Sequence, residues 1–198
     1  MGCSNRCHEP VSGCRPEART APRIVSFSNG ANQSRTRSRG RKPSVQCLPR
    51  NNAVIADIQK TRPDLLVLTN LTMGPDQMGS VANELEKVKS YVGKIVVLGT
   101  PPEVKDPHAC YTPSSTPANC ASPVSNDYKT WVKNNALVAT ELGGVAVDVT
   151  DWFCVSGFCP AFAGTVPTRW DGTHQSSAYA VKLAPVLLEA FKNAHIFT

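Results

Sequence analysis

Asp171 and His174 stand three residues apart in the stretch Asp171-Gly172-Thr173-His174, just ahead of an apolar-periodic segment. A carboxylate at that spacing, on a loop entering a helix, can reach the imidazole. It would hold the ring in one tautomer and stabilise the imidazolium as the histidine accepts a proton. The same spacing also suits an aspartate that caps the helix beside a solvent-facing histidine, and spacing alone leaves both readings open. Asn70 ends an apolar run. Its amide could donate to an oxyanion, or serve as a turn residue, or belong to the sequon Asn70-Leu71-Thr72, a poor acceptor at the rim of a buried strand. His108 and His195 have no carboxylate partner nearby and read as surface residues.

The elements that must carry these residues follow from the hydrophobic pattern. Asp64–Thr69, Lys94–Leu98 and Val145–Val149 are continuous apolar runs of strand length, expected for strands buried on both faces. Between them lie helix-period segments. Asn52–Thr61 is stopped by Pro63. A second helix opens at Gly74-Pro75-Asp76, carries Met78, Val81, Leu85, Val88 and Val92, and is expected to be capped by Gly93. Asp127–Leu142 presents Tyr128, Trp131, Val132, Ala136 and Ala139 inward and ends at Gly143-Gly144, and Ser176–Lys192 contains Pro185. Alternation of strand and helix predicts an α/β fold with a parallel sheet covered on both faces, whose ligands bind at the carboxyl ends of the strands. Thr100–Ser125, with six prolines, is too long for a plain connector and is expected to be a functional loop.

The chain has 198 residues and a formal charge of +6. That charge is not spread evenly. Residues 1–50 carry ten basic side chains against two acidic ones, a net of +8, and the remaining body is mildly acidic at −2. Five basic residues fall within Ser34–Lys42. Only Phe27 is available there to stack on a base, so nucleic-acid binding is disfavoured. Cys3, Cys7, His8 and Cys14 fit no standard zinc spacing, and no metal or cofactor is expected. The only strand-like piece of this segment is Arg23–Phe27. The expected organisation is therefore residues 1–46 as a basic, disordered or non-native segment, such as an out-of-frame or mis-started stretch, and 47–198 as the domain. No apolar h-region of a secretory signal begins the chain, and no run is long enough to span a membrane. In the body, Cys110/Cys120 and Cys154/Cys159 each close a short loop. They read as two local disulfides in an oxidising compartment, with four free thiols as the alternative.

Taken together, Arg50–Ile58, RPDLLVLTNLT (62–72), KIVVLGTPP (94–102), the WFC…CP element (152–160) and RWDGTHQSSAYAVKLAPVL (169–187) resemble the SGNH (GDSL-like) hydrolase domain fused to the C-terminus of acyltransferase-3-type membrane proteins. The resemblance covers about 47–194. It implies a flavodoxin-like three-layer α/β/α sandwich, with Asp171 and His174 as acid and base of a Ser-His-Asp triad. It also implies a location outside the cytoplasm, a transmembrane acyltransferase module as partner, and O-acyl chemistry on acylated cell-envelope carbohydrates. The family has Leu where Gln175 stands, and Ser176 is kept. The family's nucleophile lies in Gly-Asp-Ser after the first strand, and no Gly-Asp-Ser occurs here. The nearest analogue is Ser28, preceded by Phe27 instead of Asp. The domain is thus expected to lack its first strand and nucleophile block, and to be catalytically impaired. A second function is open to the same fold: non-catalytic carbohydrate binding, with Trp170 as a stacking surface at the rim.

Overall fold

A computed structural model of the chain describes residues 24–28, 47–69, 72 and 74–197. Four parallel strands form the central sheet: β1 (Ile24–Ser28), β2 (Leu65–Thr69), β3 (Lys94–Leu98) and β5 (Val145–Val147), hydrogen-bonded in the order β1-β2-β3-β5. Helices α1 (Cys47–Thr61), α2 (Pro75–Lys89) and α4 (Asn126–Glu141) are the crossovers. The short helices α3 (Pro107–Cys110) and α5 (Thr150–Phe153) lie in the long loops, and α6 (Ser177–Asn193) closes the fold. Four two-residue strands complete the loops as two antiparallel pairs: β4 (Ser122–Pro123) against β6 (Phe158–Cys159), and β7 (Phe162–Ala163) against β8 (Val166–Pro167).

The pleat explains why the strands read as unbroken apolar runs. Successive side chains point to opposite faces, and both faces are covered. Leu66, Leu68, Ile95 and Val97 meet Ile58, Leu85, Val88 and Val138 from α1, α2 and α4, and Leu142 at the end of α4, on one side. Leu65, Val67, Val96 and Val147 meet Phe191, Ile196, Leu187 and Trp152 on the other. This is the α/β/α sandwich that the alternation of elements predicts. Leu66 is completely buried in the first of these layers. Leu66→Ala is therefore expected to lower unfolding stability by about 2–5 kcal/mol, from lost burial plus the cavity it leaves. A denaturant midpoint unchanged from wild type would contradict that packing.

Several local readings are sharpened. Gly93 does not cap α2, which ends at Lys89; a Cβ on Gly93 would lie 2.6 Å from the Asp64 carbonyl oxygen, so glycine is required by the close approach of the chain to the foot of β2. Gly143, at φ +66°, does end α4 as the pattern implies. Ala136 on α4 faces solvent, not the core. His108 and His195 are exposed, as read.

The missing first strand is corrected. Ile24–Ser28 lies parallel to β2, with Ile24 opposite Leu65 and Ser28 opposite Thr69, so the sheet takes its edge from within the basic N-terminal segment. Arg23–Phe27, the one strand-like piece of that segment, anticipates it to within a residue.

Candidate active site

The turn that carries Asp171 and His174 is built by a carboxylate. Asp171 Oδ1 accepts the backbone N–H groups of Thr173 and His174, both at 2.7 Å, and the Thr173 hydroxyl at 3.1 Å. This closes a side-chain turn of the kind aspartate favours. Oδ2 remains free for the imidazole and meets His174 Nδ1 at 2.6 Å. Asp171 therefore reaches the imidazole and does not cap α6, whose N-cap is Ser176, while His174 itself faces solvent. Ser176 Oγ accepts from Tyr179 N at 3.1 Å and also donates to the Pro167 carbonyl. Hydrogen bonds from the His174 and Thr173 groups hold the Asp171 carboxyl well below the usual carboxylate range, the His174 backbone N–H contributing most. The carboxylate is therefore ionised whenever the imidazole is neutral enough to act as a base. With Nδ1 engaged, Nε2 is the ring nitrogen available for proton transfer.

The turn closes on itself through Trp170 N–H to His174 O at 2.8 Å and a bridge between Arg169 and Gln175. It is docked on the loop after β3 through Val104 N–H to Gly172 O at 3.0 Å. The His174 side chain is 78% exposed. It stands at a cavity of about 450 Å³ whose wall includes Thr69 at the end of β2, Leu98, Gly99 and Thr100 at the end of β3, and Val149, Trp152 and Phe153 beyond β5. Leu183, Ala184 and Leu187 of α6 form the apolar side. This is the carboxyl edge of the sheet, where a parallel fold places its ligands. Gly99 N–H is engaged by Val147 O at 2.9 Å, so it is not the free donor an oxyanion needs.

Other expected site residues fall differently. Asn70 lies outside the described residues. Ser28 is placed by its backbone alone, at the carboxyl end of β1 and in register with Thr69, a wall residue of the cavity. Trp170 is 67% exposed and meets His108 edge to face, with ring centres 5.5 Å apart, one residue before Asp171. Trp131 is half-buried, packed edge-on to Tyr128. Cys110 is bridged to Cys120, which ties α3 to the 3-10 turn Pro117–Cys120 inside the proline-rich loop. Cys154 is bridged to Cys159 behind the cavity wall. Among the described residues no group of acidic, histidine and cysteine side chains could hold a metal, and no helix is long and apolar enough to cross a membrane. The sequence reading missed Arg169, a charged residue with only 1% of its surface exposed. Nothing in its spacing separates it from a surface arginine.

Comparison with known proteins bears on this arrangement. A family model described as SGNH domain (fused to AT3 domains) matches residues 11–189, a span that begins inside the basic N-terminal segment. Among solved structures, the periplasmic domain of a lipopolysaccharide acetyltransferase from Salmonella ser. Paratyphi A aligns with a TM-score of 0.53 at 16% identity. The alignment covers 70% of this chain and 62% of that one, so the chain spans less than two thirds of the length of that structure. A catalytic mutant of an acetylxylan esterase from Geobacillus stearothermophilus aligns at 14% identity with a TM-score of 0.44, over 75% of this chain and 68% of that one. No curated protein matches the chain.

Proposed function

Because the chain belongs to the SGNH domain family of the kind fused to AT3 domains, we propose that it handles O-acyl groups on cell-envelope carbohydrates, as an esterase or as the accessory domain of an acyltransferase. The observation that carries this reading is the 2.6 Å contact between His174 Nδ1 and Asp171 Oδ2 at the mouth of a cavity on the carboxyl edge of the sheet. In this reading Ser28 is the nucleophile. Its oxygen attacks the acyl carbonyl while His174 Nε2 takes the hydroxyl proton, and Asp171 stabilises the imidazolium. The sugar alkoxide leaves with that proton, and water or a second sugar hydroxyl then takes the acyl group from Ser28 by the same steps in reverse. Asn70, next in the chain after Thr69, is the proposed oxyanion donor. Phe27 stands where the family has Asp and no Gly-Asp-Ser is present, so turnover is expected to be slow.

The location follows from the same reading. Two disulfides suit an oxidising compartment outside the cytoplasm, and a family described as fused to AT3 domains supports a membrane acyltransferase module as the partner. The test is acetate release from an aryl acetate and from acetylated oligosaccharides. A saturable rate above buffer is the expected result, and none above buffer at high enzyme concentration overturns the catalytic reading. The exposed Trp170 favours a second reading, in which the fold binds glycans without catalysis. Trp170→Ala is expected to weaken glycan binding about tenfold, equivalent to ~1.4 kcal/mol. Titration calorimetry with unsubstituted oligosaccharide reads this. Glycan affinity without any acetate release would leave the binding reading alone standing.

A further inference from the structure

Arg169 is the largest fully buried side chain among the described residues, two positions before Asp171. Its Nη2 donates to the Pro102 carbonyl at 2.6 Å, and its guanidinium carbon lies 4.3 Å from the centre of the Phe153 ring. Nε and Nη1 have no hydrogen-bond partner among the described residues. Burial lowers its pKa to about 10, which still leaves it charged at neutral pH. A buried charge with one carbonyl and one aromatic face as partners is an expensive way to fill space, because an apolar side chain of similar length would avoid the desolvation cost. The three groups that meet here explain what it accomplishes. Pro102 belongs to the loop after β3, whose Thr100 and Pro101 line the cavity, and Phe153 lines it from α5. Arg169 itself is the first residue of the bridge that closes the Asp171–His174 turn.

We propose that Arg169 is a positioning residue, which clamps the base of the Asp171–His174 turn to the two loops that form the cavity wall. The inference rests on the acyl-transfer reading for its effect on rate, but its effect on geometry is independent of that reading. Two variants separate the cases. Arg169→Met removes the donors and the charge while keeping the volume. Arg169→Lys keeps the charge and one donor.

The expected result for Arg169→Met is a thermal midpoint equal to or above wild type, since the desolvated charge is gone. Its kcat on aryl acetate falls about ten- to a hundredfold with KM little changed, the signature of lost alignment in the transition state. Arg169→Lys recovers part of kcat. Nitrogen-15 spectra of the imidazole provide the readout that does not need activity: the Nδ1–H form of His174 loses its dominance in the Met variant. If the Met variant keeps both the His174 signature and wild-type kcat, the proposal is overturned. A lowered midpoint with the His174 signature intact also overturns it, because Arg169 would then be structural only. Should wild type release no acetate, the acyl-transfer reading fails, and the His174 spectra alone decide the role of Arg169.

Discussion

Asp171→Asn is expected to lower the rate of acetate release by about 10³- to 10⁴-fold with the fold intact, the size of effect seen when a triad carboxylate is neutralised. The geometry makes this substitution unusually clean. Oδ1 holds the turn by accepting two backbone N–H groups, and Oδ2 alone faces the imidazole. Asparagine keeps an oxygen for the turn and turns an NH2 donor toward Nδ1. The ring must then accept at Nδ1 and carry its proton on Nε2, where the base is needed. The turn survives and the tautomer is wrong. Removing His174 altogether should cost no more than this by a small factor, because the two act as one unit. A rate for Asp171→Asn close to wild type would show that the pair is only a surface contact.

The same carboxylate ties stability to pH, and the sign is fixed by the direction of its shift. Its pKa in the fold is depressed, so the unfolded chain binds the proton more readily. The stabilisation is fully present above the unfolded value of about 4, and is lost as pH falls toward the folded value. The Asn variant lacks that dependence. The difference in unfolding midpoint between wild type and Asp171→Asn should therefore narrow as the pH is taken down through the carboxylate range.

β2 and β3 were legible because their apolar runs are buried on both faces, and Lys94–Leu98 coincides with β3 residue for residue, whereas the run Val145–Val149 is a strand only over Val145–Val147, with Ala146 exposed. The long helices were legible because α2 and α4 each keep one apolar stripe against Leu66, Leu68, Ile95 and Val97. The irregular segments were not. α3 and α5 are four residues long, too short for any period to register, and they are held by the disulfides and by Asp106 and Asp148. Gly93 was misassigned because a glycine required by close backbone approach looks, in sequence, like a glycine that ends a helix. The Asp171–His174 pair was visible as spacing. What spacing left open was which oxygen does which task. Arg169 was invisible because burial of a charge is decided by residues distant in sequence, here Pro102 and Phe153.

Ser28→Ala is the second substitution expected to bring the rate to background. The argument is one of placement. In a parallel sheet the register fixes which residues reach the carboxyl edge together, and Ser28 is paired with Thr69, itself a wall residue of the cavity at which His174 stands. Ser26, two positions back in the same strand, is paired with Val67 in the middle of the sheet and cannot serve. If Ser28 is the nucleophile, Ser28→Ala, His174→Ala and the double variant should all show the same residual rate, because removing one member of a catalytic unit leaves little for the next removal to take. A serine-directed phosphonate should add its mass to the peptide containing Ser28, and should do so more slowly in His174→Ala. A His174-dependent rate that persists in Ser28→Ala would overturn the assignment. The basic segment 1–46 would then contribute only an edge strand, and the acyl group would have to be attacked directly by water that His174 deprotonates. That route forms no covalent intermediate, and the phosphonate would leave the mass of the protein unchanged.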